Sequence, residues 1–215
     1  MRSLNPLPSR LLLVTDRHQA AAPLEAIAAE AVSAGARWIW LRDRDMAADA
    51  RRALARRLLA ITRRHGARLS IGADIELAAE IGADAVHLAA GAPVAAARAR
   101  LGPAALIGVS AHHLSDIERA RIEGADYVTL SPIFATPSKP GYGPALGLAA
   151  LTEGSRLGLP VLALGGVTLA RAAACLRAGA GGIAVMGEAM RAGDRAGGVR
   201  AAVQGLSHAL QAEAA

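Results

Sequence analysis

The 215-residue chain is long enough for one sizeable core and short for two, and 53% hydrophobic with only 2% aromatic residues describes a globular domain built from Ala, Leu and Val. A net charge of +6 raises the question of a nucleic-acid partner, but the arginines are spread over many helical segments and almost no aromatics are present to stack bases, so none is expected. No apolar run approaches a membrane span, the opening MRSLNPLPSR lacks the apolar core of a secretion signal, and the single Cys175 has no disulfide partner; a cytoplasmic protein without a membrane partner is expected.

In chain order, short apolar runs predict eight strands, near Leu11–Val14, Trp38–Leu41, Arg68–Ile71, Ala85–Leu88, Leu106–Val109, Tyr127–Leu130, Val161–Leu164 and Ile183–Val185. Most read as strands covered on both faces. Helical patterns lie between them, at Pro23–Ala34, Ala48–His65, Val94–Leu101, Leu114–Glu123 and Leu169–Ala178. Four segments share a helix end, a Gly-Ala pair and an apolar run, around Gly35, Gly82, Gly124 and Gly179, and each interval has room for two βα units. Strict alternation in this number predicts an α/β fold, a single (β/α)8 TIM barrel over 1–215, with a doubly wound open sheet as runner-up. Frayed ends are expected at 1–9 and after about 205.

In such a barrel the polar residues at the carboxyl ends of the strands share one pocket. Here these are Thr15, Asp16, Arg17 and His18; Arg42, Asp43, Arg44 and Asp45; Asp74; His87; Ser110, His112 and His113; and Ser131, Thr136, Ser138 and Lys139. Gly165 and Gly166 end the seventh strand, where bare backbone amides can cradle an anion. Arginines, hydroxyls and Gly-rich turns together describe a phosphate site. The longest connection, Ser131 to Gly147, carries Lys139, the only lysine among 24 basic residues, and reads as an active-site loop. Plainer readings stand beside these: Arg42 pairing with Asp16 or Asp43, and His87 as a satisfied barrel-lining histidine.

The motifs VTD (Val14–Asp16), LRDR (Leu41–Arg44), GADAVHL (Gly82–Leu88), IGVSAH (Ile107–His112), GADYVTLSPIFATPSKPG (Gly124–Gly141) and LALGGV with GGIAVMG resemble those of the thiamine-phosphate synthase and thiazole tautomerase family. The resemblance implies a (β/α)8 barrel of thiamine biosynthesis. Its synthase branch joins hydroxymethylpyrimidine pyrophosphate to a thiazole phosphate with release of pyrophosphate; its tautomerase branch aromatises a thiazole carboxylate phosphate by proton transfer. It implies a thiazole phosphate against Thr136, Ser138, Gly165, Gly166, Val185 and Met186, and a pyrophosphate against Arg42, Arg44, Ser110 and Lys139.

The chain departs from the synthase pattern at three places. Trp40 stands where the pattern has Gln, Gly72-Ala73 where it has Asn-Asp, and Ala89-Ala90-Gly91-Ala92 where it has Gly-Gln-x-Asp. The resemblance assigns those two aspartates to Mg²⁺, leaving Asp74 as the only metal candidate and no cofactor expected unless the synthase reading holds. The tautomerase branch is also incomplete, with Pro132 where some members carry His. The first expectation is therefore a metal-independent, tautomerase-like enzyme acting on a thiazole phosphate, with His87, His112 and Lys139 as catalytic residues. The alternatives are a synthase, with Mg²⁺, and a non-catalytic phosphate-binding protein of the same pathway. A homo-oligomer is allowed by the sequence. Gly166→Asp is expected to abolish phosphate binding and spare the fold.

Overall fold

A computed structural model describes residues 4–136, 144–194 and 196–213. Eight parallel strands close into a barrel in sequence order: β1 (Leu11–Val14), β2 (Trp38–Leu41), β3 (Arg68–Gly72), β4 (Ala85–Leu88), β5 (Leu106–Ala111), β6 (Tyr127–Leu130), β7 (Val161–Ala163) and β8 (Gly182–Val185). Outside them lie α1 (Leu24–Ser33), α2 (Ala48–Arg64), α3 (Ile75–Ile81), α4 (Val94–Leu101), α5 (Leu114–Ile122), α6 (Gly147–Ser155), α7 (Leu169–Arg177), the short α8 (Gly187–Arg191) and α9 (Gly198–Ala212). The fold is a (β/α)8 barrel, and the open-sheet alternative falls because β1 pairs with β8, Leu11 opposite Ile183.

The two-residue period of the strands sorts their side chains into two cores. Leu11, Leu13, Ile39, Leu41, Leu69 and Ile71 point outward under the helices. Leu12, Val14, Trp38, Trp40, Ala85, Leu106, Tyr127, Leu162 and Ala184 fill the barrel itself. Because the chain has so few aromatics, Trp38 and Tyr127 supply much of the interior volume, meeting edge to face at 4.8 Å. Trp38 Nε1–H donates to Ser70 Oγ at 2.8 Å, which satisfies the indole inside the barrel.

Two expectations about the ends are corrected. The stretch after 205 is not frayed: Val199, Val203, Leu206 and Leu210 recur at helical spacing and are buried, seating α9 against α1 and α7. At the other end, among the described residues, Asn5 is tied to the segment before β5, its amide donating to Pro103 O at 3.0 Å and Ala105 O at 3.1 Å. Ser110, expected just past the fifth strand, lies on β5, paired in register with Thr129 of β6. Among the described residues, no helix is long and apolar enough to cross a membrane.

Candidate functional site

A cavity of about 690 Å³ opens at the carboxyl ends of the strands. Its described lining carries four guanidinium groups, Arg42, Arg44, Arg171 and Arg191, against a single carboxylate, Glu188. In a part-enclosed site this imbalance favours anions.

The cradle is formed by Gly165 (φ 90°) and Gly166 (φ 63°) after β7. A Cβ on Gly165 would stand 2.8 Å from Pro132 Cα, and one on Gly166 would stand 2.6 Å from Ala135 O. The turn is pressed onto the loop after β6, where Phe134 N–H donates to Gly165 O at 3.0 Å. These glycines are therefore required by packing as well as by positive φ, and Gly166→Asp would disturb the fold rather than spare it. Arg171, from the first turn of α7, closes the group: its Nη1 donates to Gly166 O at 2.8 Å and its guanidinium lies 4.6 Å from the Phe134 ring centroid. Thr136, Val185 and Met186 line the same cavity. Ser138 and Lys139 lie outside the described residues.

At the end of β2, Arg42 reaches Asp16 at 3.5 Å and Met186 Sδ at 3.7 Å while lining the cavity, so the structural pairing and the open position coexist. Asp43 does not pair with Arg42; it is buried, accepting from Thr15 Oγ1 and from Arg17 N–H at 2.7 Å. Arg44 is exposed and makes no ion pair with a described residue, and its positive charge is felt at both His87 and Arg51.

His87, the first catalytic candidate, is 1% exposed. Its Nδ1 lies 3.0 Å from Tyr127 Oη, and its Nε2 lies 3.2 Å from both Ser110 Oγ and Thr129 Oγ1. Burial, and then the nearby Arg44 charge, push its pKa down to about 3. Its burial and its three hydroxyl partners match the plainer reading of a satisfied barrel-lining histidine. The second candidate, His112, lines the cavity, and its Nδ1–H donates to Ser131 O at 2.8 Å, which sets the tautomer.

The metal candidate also fails. Asp74 is the N-cap of α3, accepting from Leu77 N–H at 2.8 Å, and it pairs at 3.0 Å with Arg51, a guanidinium only 5% exposed. It is not part of the cavity lining. Ala73 and Ala92 offer no side-chain oxygen, and among the described residues no three His, Cys, Asp or Glu side chains converge. The residues present do not fit the Mg²⁺ that the resemblance implies. The space is used otherwise: Trp40 fills the barrel mouth beside Gly72, where any Cβ would stand 2.9 Å from the indole Nε1.

Sequence reasoning missed Arg171, Arg191 and Glu188 as lining residues. The turns after β7 and β8 bring the start of α7 and the short α8 to the mouth; Arg171 follows Gly166 by five residues, a spacing that would have been the available signal.

Residues 11–189 match the family model described as thiamine monophosphate synthase. The chain is 41% identical over 179 residues to a putative thiamine-phosphate synthase of Geobacter sulfurreducens, covering 82% of this chain and 84% of that one. It is 39% identical over 205 residues to the thiamine-phosphate synthase of Roseiflexus castenholzii, covering 92% and 90%. A solved thiamine phosphate pyrophosphorylase from Pyrococcus furiosus superposes with a TM-score of 0.83 at 26% identity, over 95% of this chain and 96% of that one. The chain belongs to the thiamine monophosphate synthase family.

Proposed function

We propose that this protein is a thiamine-phosphate synthase, joining hydroxymethylpyrimidine pyrophosphate to a thiazole phosphate with release of pyrophosphate. The observation that carries the reading is that one cavity holds both Arg42 and Arg44 and the Gly165–Gly166 turn, places for two anionic groups. A metal-free tautomerase needs a group that takes and returns a proton near neutral pH. Of the two candidate histidines, His87 spends both ring nitrogens on hydroxyls of the barrel wall, with its pKa pushed down to about 3, and His112 lines the cavity with Nδ1 on Ser131 O.

Joining needs no such group. The lone pair of the thiazole ring nitrogen forms a bond to the exocyclic methylene carbon of the pyrimidine. The bond from that carbon to pyrophosphate oxygen breaks, its electron pair leaves with the pyrophosphate, and no proton is moved. What the step requires is positive charge for the departing group and a hold on the second phosphate. Arg42 and Arg44 suit the first task, and Gly165, Gly166, Thr136 and Arg171 the second. The names of the relatives support this reading, and the tautomerase expectation gives way to it.

The test is incubation of the purified protein with both substrates, following thiamine phosphate and pyrophosphate. Equimolar appearance of the two is expected. Proton exchange in a thiazole carboxylate phosphate without joining would restore the tautomerase reading. Substrate binding with neither reaction would leave a non-catalytic phosphate-binding protein.

A further inference from the structure

We infer that the charge of a pyrophosphate group in this cavity is met by guanidinium groups, Arg44 foremost, and not by a divalent cation. The identity of the anion rests on the synthase reading; the way its charge is met rests on the side chains around β2, β3 and β4.

A hard dication seeks several oxygen ligands, carboxylates first. At the ends of β3 and β4 the chain offers Ala73 and Ala92, and Gly72 is held side-chain-free by the Trp40 indole. Every carboxylate near these strand ends is engaged elsewhere. Asp74 holds Arg51 and caps α3; Asp43 holds Thr15 and the Arg17 amide; Asp45 accepts from His18 at 2.8 Å and pairs with Arg17; Asp16 accepts from the His18 amide at 3.0 Å and from Gln19 Nε2 at 2.8 Å. Glu188, the one carboxylate of the described lining, starts α8 after β8, diametrically across the barrel from β4.

Positive charge is present at the same place. Arg44 follows β2, makes no ion pair with a described residue, and lines the cavity together with Gly72 and Ala73 at the end of β3 and His87, Leu88 and Ala89 at the end of β4. Arg44 and the β3 and β4 ends therefore face one cavity. Arg42, which also reaches Asp16 at 3.5 Å, lines the same cavity, and guanidinium groups can grip phosphate oxygens bidentately.

The experiment is calorimetric titration with inorganic pyrophosphate, in EDTA and in millimolar MgCl2. Wild type should bind in EDTA, with Kd changed less than about fivefold by Mg²⁺, and Arg44→Ala should raise Kd in EDTA by about tenfold or more. Arg44→Lys should recover part of that loss. Absence of binding in EDTA, a gain of about fivefold or more with Mg²⁺, or an unchanged Kd in a folded Arg44→Ala variant would each overturn the inference. Turnover separates this from the synthase reading. A protein that binds pyrophosphate as described but does not join the two substrates loses that reading alone, and one that joins them only with Mg²⁺ loses this inference alone.

Discussion

The indole of Trp40 lies on the imidazole of His87, ring centroids 3.9 Å apart and planes inclined by 37°. The contact covers one face of the histidine, while Tyr127, Thr129 and Ser110 take its nitrogens. A ring so enclosed gains nothing from protonation, because both its hydrogen bonds and its surroundings suit the neutral form.

A stability profile follows from this. An unfolded histidine protonates near 6.5, whereas His87 in the fold does so near 3. Between those values the unfolded chain holds one proton more, so stability present above pH 6.5 is lost as pH falls through the window, with a limiting slope of about 1.4 kcal/mol per pH unit. Urea unfolding from pH 7 to pH 4 should show this slope in wild type and a flatter one in His87→Asn. The pH profile of turnover should carry no inflection from His87 between pH 5 and 8.

Trp40 and Gly72 should behave as a coupled pair. Gly72→Ala would place a Cβ 2.9 Å from Trp40 Nε1 and 3.0 Å from Leu41 O, and overpacking of this kind costs about 1–3 kcal/mol. Trp40→Gln removes the indole and should relieve part of that cost, leaving the backbone contact. A double-mutant cycle read by urea unfolding should return a coupling of about 0.5–2 kcal/mol. Strict additivity would mean that the two positions do not share the space.

The strands were legible because a barrel strand buried on both faces has to be a short apolar run, and four of the eight expected spans agree in both ends with those observed. The tail of α9 was less legible, since only Leu206 and Leu210 mark its buried face among Ala, Gln, Ser and His. The side of the cavity after β7 was legible through Gly165 and Gly166, which announce a turn. Arg171 was passed over because in sequence it is one of 23 arginines, and only the path of α7 over Phe134 distinguishes it. Asp74 was misjudged for a related reason: a carboxylate two residues past a strand reads equally as metal ligand and helix cap until Arg51 is seen behind it.

Arg171 offers a better probe of the cradle than its glycines do. Arg171→Ala removes an exposed cation–π contact worth about 0.5–1 kcal/mol and leaves the backbone of the turn intact, so the melting temperature should fall by a few degrees at most. Binding of a thiazole phosphate should weaken by about 1.5–3 kcal/mol if the guanidinium meets the phosphate, as a charged hydrogen bond would. Arg171→Lys keeps the charge but not the planar fork and should recover only part of the affinity. Calorimetry showing wild-type affinity in both variants would confine Arg171 to holding the Gly166 carbonyl.

Asp74 distinguishes a structural carboxylate from a metal ligand. Its side chain is 41% exposed, but the partner Arg51 is buried, with Nη2 on Gly72 O at 2.7 Å and Nε lacking any hydrogen-bond partner. Removing the carboxylate leaves a buried cation with less compensation and an α3 amide without its cap. Asp74→Ala should therefore cost about 1–3 kcal/mol of stability in urea unfolding, discounted from a fully buried pair for the solvent reaching Asp74. Asp74→Asn can still accept from Leu77 N–H, so it should restore the cap and leave only the electrostatic part of the loss. Both losses should be the same in EDTA and in millimolar Mg²⁺, because the work of Asp74 is done on Arg51 and Leu77. A loss that appears only with Mg²⁺ present would make Asp74 a metal ligand and return the β3 end of the cavity to cation binding.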